Sequence, residues 1–227
     1  MPYRRTEAIN RRLAAKRDSI LAAAEAAAAE GGMAALQIAP VAQRAGIAAG
    51  TVYRYFPAKA DLMAALISAA AERETAAMRQ AASAAPGPLS ALAAAIAAYA
   101  TRASTHKRLG WALIGEPEPD IDEARKAYRQ ALCAEIQTWL ARAISGGHLP
   151  DQDVGLSATA LVGALFEGLI GPLAPYRMDE TIRLQAVQNL TLLGLRSVGV
   201  PDARARGLVM QSALRPAEPP AQDVSSR

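Results

Sequence analysis

Chemistry directed at a partner is concentrated in one short stretch, "AGIAAGTVYRYFPAK", residues 45–59. Aromatic residues are only 4% of the chain, yet Tyr53, Tyr55 and Phe56 fall within four positions here, interleaved with Arg54 and followed by Lys59. Tyrosine and threonine hydroxyls and a lysine ammonium are phosphate ligands, and a guanidinium can grip a guanine edge through two hydrogen bonds. Read as a helix at 100° per residue, residues 49–56 put Val52 and Phe56 on one apolar side. Thr51, Arg54 and Tyr55 then project from the opposite side, with Tyr53 at the border. Ala48, Ala49 and Gly50 keep the start of that helix slim enough for close approach to a DNA groove. The alternative is that the tyrosines are core aromatics and that Arg54 and Lys59 belong to a solvated face.

The elements that must position these groups read as a helix, a turn and a helix. Ile38, Val41, Ala42 and Ala45 recur at helical spacing, with Pro40 in the first turn, where its missing N–H has no intrahelical partner to lose. Gly46 is placed to end that helix in a left-handed conformation, and Ile47 re-enters the core. Two helices joined by so short a turn make a helix-turn-helix. A first helix precedes it, from near Glu7 to Glu30, ending at Gly31-Gly32 and expected to bury Leu13, Ile20, Ala24 and Ala27. Beyond Pro57 a long helix is expected over about 59–82. Further helices are expected at 89–104, 105–114, 120–145, 152–171 and 178–197, separated by turn-rich segments such as "GEPEPD" and "GGHLPDQD". This makes about nine helices and no strand, an all-α chain.

The 227 residues are 52% hydrophobic, enough for a substantial core. Alanine runs such as "LAAAEAAAAE" favour helix because alanine loses no side-chain entropy on entering one. No apolar run is long enough to span a bilayer, and the first residues read as a charged arm and not as a signal peptide. With the lone Cys133 expected to be a buried small apolar side chain, no disulfide is expected, and a cytoplasmic setting with no membrane association follows. The charge is unevenly placed. Residues 1–60 hold nine Lys/Arg and four Asp/Glu, whereas residues 61–227 hold 16 and 17. The arm alone carries Arg4, Arg5, Arg11, Arg12, Lys16 and Arg17 against Glu7. Such asymmetry points to a polyanion at the N-terminal end. A catalytic role finds little support: the chain has one Cys, two isolated His (His106 and His148), no Gly-rich phosphate loop and no metal-ligand spacing. No cofactor and no metal are expected.

The run from Ile20 to Leu62, "ILAAAEAAAAEGGMAALQIAPVAQRAGIAAGTVYRYFPAKADL", resembles the N-terminal domain of TetR/AcrR-family transcriptional regulators. The resemblance lies in the first helix, the Gly turn, "VA…AGI", "GTVYRYF" and "K…L". It implies a homodimer whose paired helix-turn-helix units bind a palindromic operator in double-stranded DNA. By position it implies DNA contacts from Gln37, Gln43, Arg44, Thr51, Tyr53, Arg54, Tyr55 and Lys59. The chain departs from the family at Gln37, Ala48 and Ala58, where Ser or Thr often caps a helix; each absent cap costs about 1 kcal/mol.

Three regions are expected: a DNA-binding domain with its basic arm at 1–57, a helical ligand-binding and dimerisation domain at 58–200, and a flexible tail at 201–227. In the 178–197 helix, Ile182, Ala186, Leu190 and Leu193 form one apolar stripe, and Leu184, Leu192 and Leu195 another. A helix apolar on two sides needs two partners, one of them a second subunit. Gly163 and Gly168 in the preceding helix permit close approach. Tyr99, His106, Trp111, Tyr128 and Phe166 are the candidate lining of an effector pocket, and Glu167 meets a cationic ligand or an arginine. The expected function is sequence-specific transcriptional repression released by a small molecule. The alternative is a DNA-binding or architectural protein without an effector, controlled by protein partners.

Overall fold

The computed structural model describes residues 3–174 and 179–213, with the side chains of residues 3–7 and 213 left aside. The described residues form ten α-helices and two short 3₁₀ turns: α1 (Tyr3–Gly31), α2 (Ile38–Arg44), α3 (Ala49–Tyr55), α4 (Lys59–Ser83), α5 (Pro88–Thr105), α6 (Lys107–Ile114), α7 (Asp122–Ser145), α8 (Val154–Leu169), α9 (Glu180–Ser197) and α10 (Asp202–Ala213). No strand occurs among them. Each expected helix is present with ends within a few residues of where turn chemistry put them. Met178, the expected first residue of the ninth helix, lies outside the described residues. That helix is observed from Glu180, behind Asp179, whose Oδ1 accepts the Ile182 N–H at 2.8 Å.

Two glycines with positive φ punctuate the N-terminal unit. Gly46 (φ 64°) ends α2 in a Schellman turn, with Ile47 N–H donating to Ala42 O at 3.0 Å and Gly46 N–H to Gln43 O at 3.1 Å. Gly32 (φ 74°) ends α1. It lies directly beneath Glu116, from the segment after α6, whose Oε2 accepts the Met33 N–H at 2.7 Å. A Cβ added at Gly32 would meet Glu116 Oε1 at 2.5 Å, whereas one at Gly46 would meet nothing within 4 Å.

One core runs through the molecule from Ile20 to Val209. The turn at residues 57–58 separates α3 from α4, but the core crosses it unbroken. Leu62, Met63, Leu66 and Ile67 of α4 are at most 1% exposed, and α4 packs on α1 at one end and on α5 and α7 along its length. Small residues let the bundle close tightly: Ala91, Ala93, Ala94 and Ala95 of α5 are all buried. Gly168 brings α8 against Leu190 of α9, where an added Cβ would meet the leucine side chain at 3.0 Å.

Three expectations are corrected here. Leu13 is not on a buried face: it is 49% exposed, and every residue from Ala8 to Ser19 is exposed, because the core reaches only the half of α1 that follows. The core side of α1 begins at Ile20. Cys133 is half-buried, not enclosed. The segment after Pro201 is not a flexible tail as far as Ala213. It forms α10, which packs on α5 and α9 through buried Ala205, Leu208 and Val209. Pro201 precedes the first turn, and its carbonyl accepts the Ala205 N–H at 2.9 Å, so this proline starts a helix instead of preventing one. Asp202 in that first turn accepts hydrogen bonds from Arg196 and Arg206. The remainder of the expected tail, residues 214–227, lies outside the described residues.

Both glycine turns are testable. Gly46→Ala should destabilise by about 1 kcal/mol, the cost of a left-handed alanine. Gly32→Ala should cost about 1–3 kcal/mol more, because the new Cβ also displaces the Glu116 carboxylate. Urea unfolding of the two variants measures the difference, and equal losses would contradict the Glu116 contact.

Candidate nucleic-acid interface

α3 has only seven residues, too few to be stable alone, so its position is set by what it buries. Val52 is fully enclosed and Phe56 nearly so, as are Val41 and Ala42 of α2. The Arg17 guanidinium lies 5.6 Å from the centroid of the Phe56 ring, tying the exposed half of α1 to the end of α3. With Val52 and Phe56 inward, helical geometry turns Tyr53 and Arg54 outward. Tyr53 is 51% exposed, and Arg54 is exposed with no acidic partner among the described residues. Gly50 at the head of α3 is exposed with open space around it.

Tyr55 does not project with Arg54 as the helical wheel suggested. It is half-buried against the core, because it neighbours Phe56 on the side of α3 that packs inward. Tyr53, expected at the border, is the more open of the two. Thr51 and Ala49 are half-buried, while Ala48, Gln43 and Gln37 are exposed. Lys59, the first residue of α4, is half-buried beside them. Arg11, Arg12, Lys16 and Arg17 are all exposed on α1, so the basic arm continues the same cationic surface.

Arg44 is exposed but engaged. Its Nη1 and Nη2 donate to Glu30 Oε1 and Oε2 at 2.7 and 2.6 Å. The pair fastens the end of α2 to the end of α1, lowers the Glu30 pKa and raises that of Arg44, in each case chiefly through this hydrogen bond. A separation of 14 residues between two helices gave no sequence signal for it.

The three positions lacking a family cap behave as the sequence implied. Gln37, Ala48 and Ala58 precede α2, α3 and α4 in extended conformation, and none makes a side-chain cap. Gln37 Nε2 instead donates to Ala34 O at 3.0 Å. Before α4 half of a capping box survives: Asp61 Oδ2 accepts the Ala58 N–H at 2.9 Å, but alanine cannot return the bond.

In the bundle, the five aromatic or polar candidates do not converge. Tyr99 and Tyr128 are buried and share a hydrogen bond between their hydroxyls. Desolvation pushes both pKa values well up, and the Arg102–Glu74 pair lies nearby. Trp111 is half-buried against Gly115. Phe166 is half-buried with the Arg129 guanidinium 5.0 Å from its ring centroid. His106 is exposed and lines a hollow of about 580 Å³ between α1 and α6. Glu167 accepts the Leu173 N–H at 3.2 Å and so closes the turn after α8. A larger open hollow, about 990 Å³, lies under the segment joining α6 to α7 and is lined by Glu116, Arg125, Lys126, Arg129 and other polar groups. Sequence reasoning passed over it by looking for aromatics, although the run "EARKAYRQ" places Arg125 and Arg129 one turn apart. No group of three or more His, Cys, Asp or Glu among the described residues is placed to hold a metal ion, and none of the described helices is long and apolar enough to cross a membrane.

Residues 20–66, which contain α2, α3 and the start of α4, match the family model for "Bacterial regulatory proteins, tetR family". The family match covers this N-terminal segment. The chain is 45% identical over 58 residues to the HTH-type transcriptional repressor KstR of Rhodococcus jostii, a match covering 26% of this chain and 27% of KstR. The chain thus spans about a quarter of the length of the curated relatives it matches. The fold is shared more widely. The crystal structure of RolR in complex with resorcinol aligns with a TM-score of 0.65 at 23% identity, covering 91% of this chain and 97% of RolR. FadR of Bacillus subtilis in complex with stearoyl-CoA aligns with a TM-score of 0.60 at 18% identity, covering 86% and 97%. At these identities the likeness establishes a shared fold and no more.

The open caps make a prediction about stability. Ala58→Ser completes the capping box with Asp61, and Ala48→Ser supplies a missing N-cap. Each should raise stability by about 1 kcal/mol, read as a higher midpoint in chemical denaturation. No gain from Ala58→Ser would contradict the extended, uncapped start of α4.

Proposed function

We propose that this protein is a DNA-binding transcriptional regulator, a homodimeric repressor of the cytoplasm that leaves a palindromic operator when a small molecule binds its helical bundle. The observation carrying this reading is the outward pair Tyr53 and Arg54 on a helix pinned by Val52 and Phe56, flanked by the unneutralised cations of α1. In this reading Tyr53, Thr51 and Lys59 hold phosphates, Arg54 reads a base edge, and Ala48, Ala49 and Gly50 pass close to the groove wall. Gln37, Gln43 and Tyr55 contribute at the rim, and Arg44 joins them only by leaving Glu30. The repressor character of KstR and the small molecules held by RolR and FadR support the same assignment.

Dimerisation is supported by apolar surface left uncovered in one chain. On α9, Ile182 and Leu193 are 45% and 53% exposed, with Leu190 half-buried between them. On α8, Leu156 is 68% exposed, and Gly163 has nothing within 4 Å of an added Cβ. A symmetric partner laid across α8 and α9 would bury this surface. Two recognition helices would then meet successive major-groove faces about 34–36 Å apart.

Selection of binding sites from random DNA tests the reading, with a palindromic consensus expected. Tyr53→Phe and Lys59→Ala should weaken all sequences alike, and Arg54→Ala should also relax base preference, by about 1–3 kcal/mol at the contacted position. Affinity should fall steeply with salt. Unchanged affinity in all three variants, or a flat salt response, would refute this DNA face. Leu193→Glu should convert the dimer to a monomer in sedimentation and abolish operator binding; a dimer that persists places the interface elsewhere.

A further inference from the structure

The segment between α6 and α7 is held from two sides. On its outer side Glu116 reaches into the N-terminal unit and accepts the Met33 N–H at 2.7 Å, over Gly32. On its inner side Arg125, from the first turn of α7, holds the segment by its carbonyls. Its Nε donates to Leu113 O at 3.0 Å and its Nη1 to Glu118 O at 3.2 Å. Arg125 is only 7% exposed, and its Nη2 has no acceptor, alone among the buried side-chain nitrogens and oxygens of the described residues.

This is an incomplete site for a cation. Carbonyl oxygens orient a guanidinium without neutralising it, and a buried charge is costly unless it is paired. The nearest carboxylate, Asp122, is 3.7 Å away and its side chain is 74% exposed, so water weakens the pairing. Burial correspondingly draws the Arg125 pKa down. One turn along the same helix, Arg129 is exposed and also lacks a carboxylate partner: its Nη2 reaches Ile114 O at a long 3.4 Å, and its guanidinium lies over the Phe166 ring. Both arginines line the 990 Å³ hollow, together with Lys126. The carboxylates of the lining do not fill the need: Glu116 is committed to Met33, and no hydrogen bond joins Glu118 to either guanidinium through its side chain. A planar oxyanion offers two acceptors in the geometry a guanidinium fork requires.

Building on the ligand-responsive reading above, we infer that this hollow is the effector site and that its effector is a small organic acid. The carboxylate completes Arg125 at Nη2 and pairs with Arg129, and the polar side chains around them hold the rest of the molecule. A carboxylate gripping the fork through Nη1 and Nη2 takes the place of the Glu118 carbonyl on Nη1 and so lifts the Glu116–Pro119 segment. Lifting that segment withdraws Glu116 from Met33 and frees the turn that joins α1 to α2. Acid binding is thereby coupled to the setting of the recognition helix.

The test uses the full chain and three acids with their neutral amides: benzoate, 4-hydroxybenzoate and succinate against benzamide, 4-hydroxybenzamide and succinamide. At least one acid should raise the thermal midpoint saturably where its amide does not. Arg129→Gln, at an exposed position that leaves folding intact, should weaken that acid about tenfold or more. Arg125→Lys, checked for folding by circular dichroism, should abolish its effect. A saturable response to an amide equal to that of its acid, no response to any acid, or full response in Arg129→Gln overturns the site. The coupling is read by anisotropy of operator DNA. The acid should release DNA from the wild type, whereas Glu116→Ala, which lacks the Met33 bond from the start, should bind the acid but hold DNA weakly and equally with or without it. Acid-dependent release from Glu116→Ala would overturn the route through Met33. The thermal measurement contains no DNA. An acid response without any DNA binding therefore defeats the regulator reading alone, and DNA binding without an acid response defeats the acid site alone.

Discussion

The structure depends on α4 belonging to two packing units at once. Its first turns bury Leu62 and Leu66 in the core that α1 shares, and its remainder is enclosed by α5 and α7. A close-packed interior does not deform smoothly, so a change in how the bundle sits against α4 must appear as a shift of the N-terminal helices. The seven-residue α3 has no stability of its own to resist such a shift. Where Tyr53 and Arg54 point is therefore decided by how Val52 and Phe56 are seated, and that seating is decided by α1 and α4.

Charge is spent differently in the two halves. In the bundle, two arginines are held by carboxylates: Arg102 by Glu74, and Arg79 by Glu135, whose other oxygen accepts the Trp139 indole N–H. Along α1 the cations Arg11, Arg12 and Lys16 stand on the exposed half of the helix, before its buried side begins at Ile20. Unpaired cations on an exposed helix add little to stability and much to the attraction of a polyanion. Arg44 falls between these cases. It is exposed and cationic, but Glu30 already occupies it, so its sequence position alone overstated its freedom.

The α6–α7 hollow, the proposed acid site, is not marked by the chain's aromatic composition. In an alanine-rich bundle the few aromatics are the obvious lining, yet Tyr99 and Tyr128 are more useful as filled core with paired hydroxyls. The open volume lies instead where a proline-rich connection cannot follow the surface of α7 closely. It is lined by the polar first turns of that helix.

Taken by itself, the amino-acid sequence determined the class, the helix boundaries, the helix-turn-helix and the apolar side of α3. Each of these follows from local periodicity, alanine propensity and glycine or proline chemistry within a few residues. The uncapped starts at Gln37, Ala48 and Ala58 were legible for the same reason. What only the tertiary structure decided were relations across distance: the Arg44–Glu30 pair, the Glu116 carboxylate over Gly32, the unpartnered Arg125 and the helix after Pro201. Leu13 belongs with these, since periodicity marks an apolar side without saying whether anything lies against it. Packing partners are chosen by three-dimensional proximity, and no short window of sequence carries that information.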